Sequence, residues 1–269
     1  MTANERSAPI GVFDSGIGGL TVAREIMRQL PNESIVYFGD TARVPYGPKS
    51  PDTVRRYSHE IAAFLRGEGV KAIVACNTAT AHALPMLQSE LSFPVVGVVD
   101  PGARAAVAVS RNAEIGVIGT VGTVNSGAYE RAIHCLVPEA HVVARACPLF
   151  VPLVEEGWTD REATHLIAEE YLAPLVATHV DTLVLGCTHY PLLKPVIGEV
   201  IGRGVRLIDS AEETAAEIGR VLRERALDAP AGAGARHRFV ASDAPDHFSR
   251  MAERFLGRPI EGVETLTLG

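Results

Sequence analysis

At 269 residues, with 47% apolar and 21% charged side chains, the chain is long enough for one large or two modest globular domains with a substantial core. Its net charge of −7 argues against a generic nucleic-acid or other polyanion binder, so a small anionic ligand would need local donors to hold it against an unfavourable field. No run of about 18 uncharged apolar residues suggests a membrane span, no apolar signal core precedes the first strand, and four cysteines are too few for a secreted disulfide framework; a cytoplasmic, reducing setting is expected.

Along the chain, short Val/Ile/Ala-rich runs alternate with longer amphipathic stretches. Strands are expected over residues 10–14, 34–40, 71–76, 94–99, 114–119, 141–146, 181–187 and 205–209. Helices are expected over 19–30, 51–68, 125–135, 160–178 and 212–227. That alternation predicts an α/β protein of βαβ units, its mostly parallel sheets flanked by helices and its reactive groups at the carboxyl ends of strands. IGVFDSGIGGLT starts at Ile10 and IGVIGTVGTVNSGAY at Ile115, an offset of 105; Cys76 and Cys187 are offset by 111. The near agreement predicts a duplicated half, roughly residues 1–100 and 101–208. The Ala/Gly/Pro-rich stretch 225–237 reads as a surface connection. A strand over 238–242, a helix over 245–256 and a strand over 263–268 follow it, too few residues for a core of their own. With the 212–227 helix they are expected to pack on the first half, giving domains of 1–100 plus 209–269 and of 101–208.

The first strand runs into FDSGIGGLT. A glycine turn between strand and helix, with Asp40 after the next strand, loosely mimics a dinucleotide-binding fingerprint. Thr21 stands where the third glycine belongs, however, and Asp14 would repel a pyrophosphate. Asp14 and Ser15 better suit an ammonium group and a nearby thiol. The Pro/Gly-rich loop 38–50 shares that sheet edge and is expected to line the same pocket.

VACNTATA (74–81) and VLGCTHYP (184–191) raise the central question, because each carries a strand into a cysteine, a small polar residue and a helix start. Asn77 and Thr78 after Cys76, and Thr188 after Cys187, fit capping positions, and Pro191 fits a first helical turn. Backbone N–H groups there favour a thiolate or receive a carboxylate. Cys135 and Cys147 lack such settings and read as buried structural residues.

Several chemistries compete for the pair. A single nucleophile with His189 as its base leaves one cysteine unexplained. Zinc held by Cys76, Cys187 and His189 lacks the usual paired ligand spacings. Two thiols on opposite faces of one carbon fit best: inverting a stereocentre through a carbanion takes a proton from one side and returns one to the other, and matched halves supply one group per face. The ordinary thiol pKa, about 8.5, lets one thiol and one thiolate be poised together. Pyridoxal phosphate would need an anchoring lysine, and Lys49, Lys71 and Lys194 sit in a turn, a strand start and a helix pattern, so chemistry without a cofactor or metal is favoured.

Together and in order, FDSGIGGLT, GDTARVPYG, ACNTATA and LGCTHYPLL, with GTVGTVNSGAY and CPLFVPLVEEG, resemble the glutamate racemases of the aspartate/glutamate racemase superfamily. The resemblance implies two α/β domains with the active site at their interface, and cofactor-independent interconversion of L- and D-glutamate, the D form feeding peptidoglycan synthesis. It implies catalytic roles for Cys76 (D enantiomer) and Cys187 (L enantiomer), assisted by Asp14 and His189. Substrate contacts are implied for Asp14, Ser15, Tyr46, Gly47, Asn77, Thr78, Thr188 and His189, with Thr120 and Thr123 as further contacts and Glu155 or Glu156 as a pocket carboxylate. By the same likeness a homodimer is expected, and DNA gyrase binding is a family property that nothing in these residues indicates. Rival readings are a racemase for another amino acid such as aspartate, or a cleft-binding protein without catalysis.

Overall fold

The computed structural model describes residues 3–260 and 262–268. Two sheets form its frame, and every strand pairing in them is parallel. The first contains β1 (Ile10–Asp14), β2 (Ile35–Gly39), β3 (Ala72–Ala75) and β4 (Val95–Gly97). The second contains β5 (Glu114–Gly119), β6 (His141–Ala146), β7 (Thr182–Gly186) and β8 (Arg206–Asp209). Their strand orders, β2-β1-β3-β4 and β6-β5-β7-β8, are the same, which is the architecture behind the repeated motifs. The tail adds β9 (His237–Ala241) beside β2 and β10 (Glu264–Thr265) at the edge. β1, β2, β3 and β7 are buried along their whole length, because helices cover both faces.

The closing helix of each half packs mainly on the other half. Helix Val99–Val109 follows β4 yet packs on β7, β8 and helix Ala128–Leu136 of the second half. Helix Ser210–Glu224 follows β8 and packs on helix Leu20–Gln29 of the first. One apolar cluster therefore runs from Ile10, Leu20 and Tyr37 through Leu172 and Leu185 to Phe248 and Phe255. Among the described residues no helix is long and apolar enough to cross a membrane.

Some expectations need correction. The helix expected over 125–135 is two pieces, Val121–Asn125 and Ala128–Leu136, divided at Gly127, whose φ of +63° favours glycine. Cys135 is exposed rather than buried. Helix Ala128–Leu136 buries Tyr129 and Ile133; Cys135, two residues past Ile133, points nearly to the opposite side. Cys147 is buried as expected. The strand expected over 263–268 shortens to Glu264–Thr265, and the one over 94–99 to Val95–Gly97, with a helix starting at Val99.

Candidate active site

Asp14 ends β1, Cys76 follows β3 and Cys187 follows β7, so equivalent strand ends of the two sheets deliver the reactive groups. They line one cavity of about 270 Å³. That volume is below the roughly 300–1,000 Å³ of drug-sized sites and suits a small metabolite. The first half contributes Asp14, Ser15, Tyr46, Gly47, Cys76, Asn77 and Thr78, and the second contributes Thr120, Glu155, Cys187, Thr188 and His189. Thr123 stands behind Thr120, 3.0 Å from its hydroxyl, and Glu156 is exposed outside the cavity. Val44 and Pro45 of the 38–50 loop, expected at the pocket, form an apolar wall with Pro148, Val151 and Pro152, which were not read from the sequence because scattered Val and Pro carry no local chemical signal.

Cys76 occupies the N-cap position of helix Asn77–Glu90, so Asn77 is its first residue and no side chain caps it. The expected side-chain cap at 188 is also absent: Thr188 instead donates its hydroxyl to Asp14 Oδ2 at 3.3 Å, across the two halves. The backbone N–H of Gly16 donates to Asp14 Oδ1 at 2.9 Å. Gly18 must lack a side chain, because a Cβ there would collide with the Thr188 hydroxyl and the His189 ring. The 38–50 loop is anchored below by Asp40, which is fully buried and accepts from Tyr46, Arg43 and Ser242.

The two cysteines have different neighbours. Burial, then the Asp14 carboxylate, pushes the Cys76 thiol well above its ordinary value, so it rests protonated. Burial likewise raises the Asp14 carboxyl, against the opposing charge of His189 and hydrogen bonds from Gly16, Cys76 and Thr188. Cys187 Sγ lies 4.0 Å from His189 Nδ1, and His189 Nε2 lies 3.0 Å from Glu155 Oε1. Burial would lower the His189 pKa, but Cys187 and Glu155 outweigh it and raise it to about 10, leaving an imidazolium between sulfur and carboxylate. Phe255 of the tail holds that ring edge-on, with centroids 5.2 Å apart. Glu155, rather than Glu156, is thus the carboxylate at the cavity.

Among the described residues no lysine or arginine lines the cavity, and the cationic His189 ring is engaged by Cys187 and Glu155, so neutral donors are left to meet ligand carboxylates. Asn77 supplies one: its Nδ2 is buried without a partner. Nor do three or more His, Cys, Asp or Glu side chains among the described residues come together as a metal site.

Matching α/β halves that converge a thiol–carboxyl pair and a thiol–imidazolium pair on one small cavity define an acid/base isomerase site. The family model described as Asp/Glu/Hydantoin racemase matches residues 10–218. The chain belongs to that family and is a racemase. It is 58% identical over 260 residues to the glutamate racemase of Geobacter metallireducens, covering 96% of each chain. The crystal structure of a glutamate racemase isoform from Bacillus anthracis superposes with a TM-score of 0.94 at 45% identity, covering 97% of this chain and 98% of that one. The glutamate racemase from Francisella tularensis in complex with D-glutamate gives 0.91 at 38% identity, with the same coverage.

Proposed function

We propose that this protein interconverts L- and D-glutamate without a cofactor, using Cys76 and Cys187 as the two proton-transfer groups, and that its D-glutamate serves peptidoglycan synthesis. The observation that carries the reading is that both cysteines, one from each half, border the same small cavity with different acid/base neighbours. Glutamate is preferred over aspartate because the relatives with closely similar sequences are glutamate racemases, one of them holding D-glutamate.

In the L-to-D direction, Cys187 takes the α-proton of L-glutamate as a thiolate, beside the His189 imidazolium. The carbanion then takes the proton of the Cys76 thiol on its opposite face, leaving D-glutamate, a Cys76 thiolate and a Cys187 thiol. Resetting requires a proton to leave Cys187 and another to reach Cys76, and His189 and Asp14 are the groups beside them. In the reverse direction the buried Asp14 carboxylate accepts the Cys76 proton, the Cys76 thiolate removes the α-proton of D-glutamate, and Cys187, having taken a proton from the His189 imidazolium, gives it to the opposite face of the carbanion. Asn77, Thr78, Thr188 and the backbone N–H groups of helix Asn77–Glu90 hold the carboxylates and spread the carbanion's charge. Ser15, Tyr46, Gly47 and Thr120 complete the cradle around the substrate.

Circular dichroism of the purified protein with L-glutamate, without added cofactor, tests this reading. Decay of the signal to zero supports it. No decay contradicts catalysis and leaves a binding cleft, whereas decay with L-aspartate alone reassigns the substrate.

A further inference from the structure

Asn77 is 2% exposed, and while its Nδ2 is unpartnered, its Oδ1 accepts a 2.7 Å bond from the Tyr129 hydroxyl. Tyr129 comes from the other half, on helix Ala128–Leu136, the second helix after β5, and is 3% exposed without lining the cavity. A counterpart bond runs the other way. Thr21, on the helix that follows β1, donates its hydroxyl to the Thr188 carbonyl at 2.9 Å. In each half, therefore, a helix between the first and second strands grips the residue that follows the opposite half's cysteine.

An amide has a donor end and an acceptor end of similar shape, and packing alone distinguishes them poorly. With the acceptor end turned inward, Asn77 would repel a ligand carboxylate instead of binding it. Burial raises the Tyr129 phenol pKa, so the hydroxyl keeps the proton that holds Oδ1 away from the cavity. We propose that Tyr129 is a positioning residue of the site, its hydroxyl fixing the Asn77 amide so that Nδ2 faces the substrate carboxylate. This rests on the reading of the cavity as an amino-acid site, and it makes the binding strength of one half depend on a residue of the other.

Tyr129→Phe removes one oxygen and leaves the ring that packs beside Gly102 and Gly186. Expected are a melting temperature close to that of the native protein, a KM for glutamate raised roughly three- to tenfold in both directions, and a smaller change in kcat. In an Asn77→Ala background the same substitution should add nothing to KM. An equal factor in both backgrounds would mean a merely structural role and overturn the proposal. A readout without turnover is the Asn77 side-chain amide in proton–nitrogen spectra. It should be one sharp pair of resonances in the native protein and doubled or broadened in Tyr129→Phe. An unchanged pair overturns the proposal. Inactivity of the native protein on glutamate would instead overturn the functional reading, and the amide resonances would still decide the role of Tyr129.

Discussion

At the scale of single residues, the difference between the two thiols follows from what stands beside each. A carboxylate beside Cys76 stabilises the neutral thiol, whereas beside Cys187 an imidazolium is itself held by Glu155. Cys76→Ser and Cys187→Ser should each lower kcat by roughly 10²- to 10⁴-fold, because a hydroxyl is far too weak an acid to replace either thiol. Circular dichroism of the folded variants and their turnover check this together, and a folded single variant with native kcat would contradict the two-thiol mechanism. The same environment predicts how stability depends on pH. His189 holds its proton up to about pH 10 when folded, against an ordinary value of 6.5. The stability from that proton is complete below 6.5 and is lost as pH rises toward 10. The melting-temperature gap between native protein and His189→Asn should narrow across that window; a gap independent of pH would contradict a charged His189. Both cysteines, Asp14 and His189 could be read from sequence because strand-end motifs carry them. Cys135 was misread because one apolar neighbour does not fix a helix face, and Tyr129 stayed hidden because its partner lies 52 positions earlier in the chain.

At the scale of elements, the site depends on turns that bring backbone close to backbone. The loop after β1 passes under residues 188 and 189, and Gly18 is where the approach is tightest. Gly18→Ala should displace Thr188 and His189 by a fraction of an ångström to an ångström and reduce kcat by up to roughly 10²-fold, with the fold retained. Steady-state kinetics check this, and native kcat would mean that the turn has slack. Strand positions were legible because fully buried parallel strands leave uninterrupted apolar runs. Caps were less so. Asn77, Thr78 and Thr188 have the composition of capping residues, but Asn77 is held by Tyr129 and Thr188 by Asp14, so tertiary partners took the side chains that local propensity assigned to helix ends. The break at Gly127 was missed because the expected helix starts at Asn125, the last residue of the first piece, and so runs through the turn at Ser126 and Gly127 that separates the two.

For the whole molecule, duplication explains why two similar strand ends face one cavity, and it was visible in the offsets of 105 and 111 residues. The packing of the 212–227 helix on the first half was expected from the sequence, whereas helix Val99–Val109, which packs on the second sheet, was not read there, since sequence order says little of which sheet a helix covers. The exchange of closing helices and the shared apolar cluster predict a single cooperative unfolding transition. Phe248, fully buried on the tail helix Pro245–Leu256, tests this: Phe248→Ala should cost about 3–5 kcal/mol. The urea midpoint followed by the lone Trp158, in the second half, should fall as far as that followed by far-ultraviolet circular dichroism. Separate midpoints would mean that the halves unfold independently.

The central claim, that separate thiols serve the two faces of one carbon, is tested most directly by racemisation in deuterium oxide, run from each enantiomer and stopped early. The account predicts one solvent deuterium at the α-carbon of the newly formed enantiomer and almost none in the remaining starting enantiomer. Deuterium appearing equally in both from the outset, or a product that retains the original proton, would show one group serving both faces and contradict it.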